Sequence, residues 1–188
     1  MLYPFVRHGL DILFVGLNPA NKSSNNGHYF STHPAFWNQL YDSGLITRPV
    51  NMSIADDQVF GSSSINASHW EYGITDLVNF HAESDSTKVT PTMNNCIELM
   101  QTIIEFQPKI VVLLHSKIIK SFVEKHIGKR CTKYGNLGKL INGCNTVFYN
   151  VPFPHGNIIS HEEKVKLYKL IKDTRESWDD LTRIRDCD

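Results

Sequence analysis

The stretch Asp11-Ile12-Leu13-Phe14-Val15-Gly16, continued by Leu17-Asn18-Pro19-Ala20, decides how this chain is read. A short continuous apolar run that closes in glycine and then Asn-Pro is the pattern of a buried strand stopping abruptly in a turn. Eight polar and small residues, 21–28, lead to Tyr29-Phe30 and then to His33-Pro34-Ala35-Phe36-Trp37. Pro34 ahead of an apolar-periodic segment marks a helix start. Strand, long loop and helix in this order form the place where open α/β sheets put their ligands. The loop is therefore the first candidate site, with Asn18 as its chemical centre.

Working outward, Ala35 to Ser43 predicts a helix with Phe36, Leu40 and Tyr41 on one face and Gly44 placed to end it. Residues 47–68 form a long connection with one short helix over 55–60. Tyr72 to Val78 is a second short buried segment, and 80–90 is a polar linker. Thr92 or Asn94 caps a helix running to about Phe106. Its two apolar series (Cys96, Leu99, Ile103, Phe106 and Ile97, Met100, Ile104) predict heavy burial. Pro108 stops it. Lys109 to Leu114 (KIVVLL) has the β-branched continuity of a central parallel strand. Ser116 caps a helix to about His126, and residues 146–151 form another strand that opens into Pro152-Phe153-Pro154-His155-Gly156-Asn157. From Glu162 a last helix carries Leu167, Leu170 or Ile171, Thr174, Trp178 and Leu181 on one stripe. The alternation predicts one domain over residues 1–188, a three-layer α/β/α sandwich with a mostly parallel central sheet of four or five strands.

Composition bounds the function. At 188 residues, 41% apolar and 20% charged, the chain has the make-up of an ordinary globular domain. Lysine plus arginine equals aspartate plus glutamate at 19 each, so the bulk positive charge of many nucleic-acid binders is absent. Local grip on a short backbone segment through loops and helix N-termini remains open. No apolar run approaches the roughly 20 residues of a membrane span, and no secretory leader is visible. An intracellular protein is expected, in cytoplasm or nucleus according to host. Cys96, Cys131, Cys144 and Cys187 form no CxxC pair, so zinc and iron–sulfur motifs are missing and free thiols suit a reducing compartment.

The familiar catalytic signatures are also missing. There is no G-x-S-x-G elbow, no G-x-G-x-x-G and no G-x-x-x-x-G-K-[ST]. Histidines show no metal spacing beyond the pair His28 and His33, so no metal or organic cofactor is expected.

The pieces gain meaning from their order. VGLNPA, Phe30, His33-Pro34 before Phe36-Trp37, Gly73-Ile74-Thr75-Asp76-Leu77-Val78, the KIVVLL strand and Pro152 to Asn157 ahead of a long helix together resemble the uracil-DNA glycosylase superfamily. The resemblance is greatest to its mismatch-specific uracil/thymine branch, where Gly-Ile-Asn-Pro-Gly, Gly-Val-Thr-x-Leu-Val and Pro-x-Pro-Ser-Gly stand at the matching places. It covers roughly residues 9 to 175, and Val151 before Pro152 agrees with that branch.

The resemblance implies a monofunctional DNA glycosylase acting on double-stranded DNA that contains uracil or a damaged base. The target nucleotide is flipped into a pocket because a stacked base is out of reach. It implies that Asn18 positions the attacking water, that Phe30 stacks on the base with Tyr29 as rival, and that Gly16, Leu17 and Ser23 line the base site. It places His155, Gly156, Asn157 and Ile158 against DNA as the wedge segment. Four positions depart from the family pattern. Asp76 replaces a basic residue and is a candidate for water activation; His155 replaces serine, Asn157 an apolar wedge and Ile159 an arginine. A monomer without membrane attachment is expected. The alternatives are a non-catalytic lesion-binding relative and a nucleotide-binding α/β protein.

Overall fold

The computed structural model describes residues 2–185, with side chains described to Trp178. The expected place of Leu181 lies outside the described side chains, and Cys187 outside the described residues. Five strands form one sheet in the order β2-β1-β3-β5-β4: β1 (Ile12–Gly16), β2 (Tyr72–Asp76), β3 (Ile110–Leu113), β4 (Gly135–Lys139) and β5 (Val147–Asn150). All neighbours run parallel except β4, an antiparallel edge strand with an irregularity between Asn136 and Gly138. The three-layer, mostly parallel architecture read from the sequence is the one observed.

The continuous apolar strands are explained by burial on both faces. Along β1, Ile12 and Phe14 enter one core while Leu13 and Val15 enter the other. Ile110 and Val112 against Val111 and Leu113 repeat this alternation on β3. The first core is closed by α2 (Ala35–Asp42), α3 (Ala55–Val59) and α6 (His161–Arg185). The second is closed by α4 (Met93–Phe106) and by α5 (Ser116–Ile118), which continues as a wider i→i+5 helix over Ile119–His126.

Several local expectations change. The loop after β1 holds a six-residue helix, α1 (Asn21–Asn26). Thr92, not Asn94, caps α4: its hydroxyl accepts from Asn95 N–H at 3.3 Å while Asn95 Oδ1 accepts from Thr92 N–H at 3.0 Å. Only one apolar series of α4 is buried, at Cys96, Leu99 and Ile103; Ile97 and Ile104 face outward, because one sheet face covers one helix stripe. Tyr41 is likewise exposed on α2, where Trp37 and Gln39 join Phe36 and Leu40 inside. His115 rather than Ser116 caps α5, its Nδ1 accepting from Lys117 N–H at 3.0 Å. On α6 the inward stripe is Lys164, Val165, Tyr168, Ile171 and Arg175, and Leu170 points out.

Gly73 in β2 is forced by a close approach. The N-terminal segment pairs with this strand through Phe5 N–H to Ile74 O at 2.9 Å and Ile74 N–H to Phe5 O at 3.1 Å. A Cβ on Gly73 would lie 2.4 Å from Phe5 O. At the same end of the sheet, Asp11 accepts from Lys109 Nζ at 2.9 Å and from Arg175 Nε at 2.7 Å, and Oδ2 accepts from Glu71 N–H at 2.7 Å. The Arg175 guanidinium sits 5.1 Å from the centre of a Trp70 ring. This cluster ties α6 to the strand starts.

Candidate active site

The opposite, C-terminal ends of the strands finish in register: Gly16 opposite Asp76, and Leu113 opposite Asn150. The chain leaves β1 for β2 on one side and returns to β3 on the other, so a crevice opens between the two exits. Loops after β1, β2, β3 and β5 converge there around a cleft of about 400 Å³, a volume suited to a small ligand or one nucleotide base. Gly16, Leu17, Asn18, Ser23, Tyr29, Phe30, Asp76, His155, Gly156 and Asn157 all line it. Ile158 does not; it stands beyond the rim and is 99% exposed.

Asn18 is held by its amide nitrogen. Nδ2 donates toward three carbonyls, Glu83 O at 2.8 Å, Pro19 O at 3.0 Å and His81 O at 3.2 Å. Three acceptors around one NH₂ fix which end of the amide is which. No hydrogen bond is made to its Oδ1 among the described residues, so the oxygen is left for a partner in the cleft. Two of the three carbonyls, His81 O and Glu83 O, come from residues 81–89, within the 80–90 segment read from sequence as a polar linker. It is instead a strap forming the cleft wall, stitched to the Asn18 loop by Glu83 N–H to Pro19 O at 3.0 Å and Asn21 N–H to Ser84 Oγ at 3.1 Å.

Asp76 closes the floor. Its residue is 5% exposed, and Oδ2 is buried without a hydrogen-bond partner among the described residues. A Cβ on Gly16 would lie 2.2 Å from Asp76 Oδ1, so glycine is what lets this carboxyl lie against β1. Burial alone pushes the Asp76 carboxyl up to about 7, since water is stripped from its charged form and nothing opposite in charge replaces it. The Tyr29 phenol is raised by burial first and then by the Asp76 and Asp56 carboxylates, which sets Tyr29 beside the floor.

Phe30 adopts a left-handed backbone at φ 48°, an uncommon state for a phenylalanine. The conformation is braced on both sides: Tyr29 N–H donates to Asp56 Oδ2 at 2.8 Å, and Trp37 Nε1 donates to Phe30 O at 3.2 Å. Its ring stacks on Phe36 at 4.2 Å, leaving one face for the cleft. The N–H groups of Leu17 and Phe30 take part in none of the turn and loop hydrogen bonds of this region.

The opposite wall follows β5. Pro154 O accepts from Gln39 Nε2 at 2.9 Å and Lys164 Nζ at 3.1 Å, pinning the loop from below. His155 stacks on His33 at 4.4 Å; burial, then His33, then Lys164 hold its imidazole below the ordinary value. His28 instead bonds Asp56 Oδ1 at 2.9 Å, so the two histidines paired by spacing turn to different partners. Asn157 is spent on its own loop, with Nδ2 donating to Phe153 O at 2.7 Å and Oδ1 accepting from Ile159 N–H at 3.2 Å. Sequence reading missed His115, Phe153 and the strap residues Glu83, Ser84 and Ser86 as lining groups. His115 had a usable signal, since it directly follows the KIVVLL strand at a C-terminal sheet end.

A three-layer α/β fold with a mixed polar and apolar cleft over its strand exits offers a ligand site at the place such sheets use for one. A sequence model of the Uracil DNA glycosylase superfamily matches residues 3–182, and the chain belongs to that superfamily. Membership supports DNA glycosylase chemistry in DNA repair. Among the described residues no helix is long and apolar enough to cross a membrane.

Proposed function

We propose that the protein is a monofunctional DNA glycosylase that hydrolyses the N-glycosidic bond of uracil flipped out of double-stranded DNA, from a G·U mismatch or a related damaged pair. The order of motifs favours the mismatch-specific uracil/thymine branch. One observation carries the reading: the Asn18 amide is locked by three carbonyls with its oxygen turned to other use.

An amide does not ionise, so Asn18 orients a water through Oδ1 and does not deprotonate it. The water oxygen bonds to C1′ as the C1′–N bond breaks, and the bonding pair leaves with the base as an anion. The N–H groups of Leu17 and Phe30, with Ser23, face the pyrimidine edge and steady that charge. The water proton passes to the Asp76 carboxylate. Asp76 lies against Gly16, two residues before Asn18, and Asn18 and Asp76 line the same cleft. Phe30 stacks on the base, with Tyr29 on the floor beneath. Gly156 turns the wedge loop, His155 meets the backbone, and Ile158, rather than the self-bonded Asn157, enters the gap left in the stack. No lysine lines the cleft among the described residues, in keeping with hydrolysis without an amine nucleophile or lyase step. The protein acts as an intracellular monomer in base excision repair and needs no cofactor.

The test is a panel of labelled duplexes carrying uracil, thymine, hypoxanthine or ethenocytosine, treated with alkali after incubation. Strand breaks at uracil opposite guanine are expected. Salt-dependent DNA binding without breaks at any base would instead make the protein a lesion-binding relative.

A further inference from the structure

We propose that Lys117 is a positioning residue for this reaction, holding the 81–89 strap so that the strap's carbonyls set the orientation of the Asn18 amide. The inference rests on the glycosylase reading above. Lys117 lies in α5, beyond the exit of β3, and is not among the cleft-lining residues. Its backbone is fixed by the bond from its N–H to His115 Nδ1. Its ammonium donates to three carbonyls of the strap, Ser86 O, Val89 O at 2.7 Å and Thr87 O at 3.3 Å. Three ammonium protons meet three acceptors, so the side chain is saturated by this one segment.

The strap is stiff between this anchor and Asn18. Asp85 Oδ1 accepts from Thr87 N–H at 3.0 Å and from Thr87 Oγ1 at 2.7 Å, closing a tight turn. Asp85 N–H donates to Glu83 Oε1 at 2.8 Å. From there Glu83 O and His81 O receive the Asn18 amide. A cation on α5 is thus joined, through one short run of chain, to the nitrogen whose placement frees the Asn18 oxygen. Without the ammonium, carbonyls 86, 87 and 89 lose their common partner and the far end of the strap loses its anchor. The Asn18 amide then samples rotations in which its oxygen no longer meets the water.

The experiment is a double-mutant cycle in single turnover, at saturating enzyme, on a duplex the wild type cleaves. Lys117→Met keeps the stem and removes the charge. Excision is expected to slow by roughly 10- to 100-fold, the scale of a displaced positioning contact, with DNA affinity within about twofold of wild type. Lys117→Arg keeps the charge but splays its donors, and an intermediate rate is expected. In an Asn18→Ala background neither substitution should slow the residual rate further. A wild-type rate in Lys117→Met, or an equal loss in both backgrounds, would overturn the proposal; the second result would mark Lys117 as merely structural. Should Lys117→Met not fold, the arginine variant in the two backgrounds decides the same question. A wild type inactive on every duplex overturns the glycosylase reading and this inference with it, whereas an active wild type indifferent to Lys117 overturns the inference alone.

Discussion

Two buried carboxylates sit at opposite ends of the same sheet, and they are treated in opposite ways. Asp11, before β1, is 6% exposed and receives Lys109, Arg175 and a backbone N–H. Asp76, at the end of β2, is 5% exposed and meets no cation; one of its oxygens has no partner among the described residues. Burial of a charge is tolerated when partners replace water and penalised when they do not. The first carboxylate is compensated within the fold, and the second is held against stability, at the floor of a cleft. The proposed role of Asp76 rests on that asymmetry.

The largest expected effect lies at the closed end. Asp11→Ala removes the acceptor shared by Lys109, Arg175 and the Glu71 N–H and should lower unfolding stability by about 3–5 kcal/mol, measured by denaturant titration. A loss under about 1 kcal/mol would undo the contrast from this side.

At the open end the sign reverses. The folded state holds the Asp76 carboxyl up to about 7, above its ordinary value near 4. Wild-type stability should therefore fall as pH rises from about 4 through 7, because the unfolded chain releases this proton first. Asp76→Asn removes the charge, so it should match wild type near pH 4 and exceed it above pH 7, by at most about 4 kcal/mol. The same variant should excise uracil about 10²-fold more slowly at pH 8, on the scale of lost general-base catalysis. Wild-type excision should rise with pH through 7 and then level, while the variant's profile stays flat over that step. A stable, fully active Asp76→Asn with an unchanged profile would remove Asp76 from the chemistry.

The smallest effect is expected beyond the rim. Ile158 is almost wholly exposed, so Ile158→Ala should leave the melting temperature unchanged. Excision from duplex DNA should drop several-fold, and excision from single strands should not, because only the duplex has a gap to fill. Equal losses on both substrates would take the wedge role from this residue.

How far the sequence speaks follows the same divide. DILFVG and KIVVLL declared central strands because both their faces are buried, and a continuous apolar run needs cover on two sides. Asn18 was visible because it follows the end of a buried strand, and Phe30, Asp76 and His155 because the resemblance to the superfamily set them in its motifs. The strap was not, since Phe80 to Thr90 is polar and its order comes from carbonyls bonding to Asn18 and Lys117, contacts that leave no periodic trace. β4 escaped notice for a related reason: Gly135-Asn136-Leu137-Gly138-Lys139 is an edge strand with little apolar content. The α6 stripe was misjudged by a fraction of a turn, because Lys164 and Arg175 are buried by the partners they meet rather than by hydrophobicity.

The role given to Asn18 stands or falls on the single-turnover rate of Asn18→Ala on a duplex with uracil opposite guanine, with DNA affinity measured alongside. The locked amide predicts a loss of at least about 10²-fold in the rate of base release while affinity stays within a few-fold of wild type. A variant that releases uracil at the wild-type rate would contradict that role, because the oxygen freed at Asn18 would then hold no water that matters.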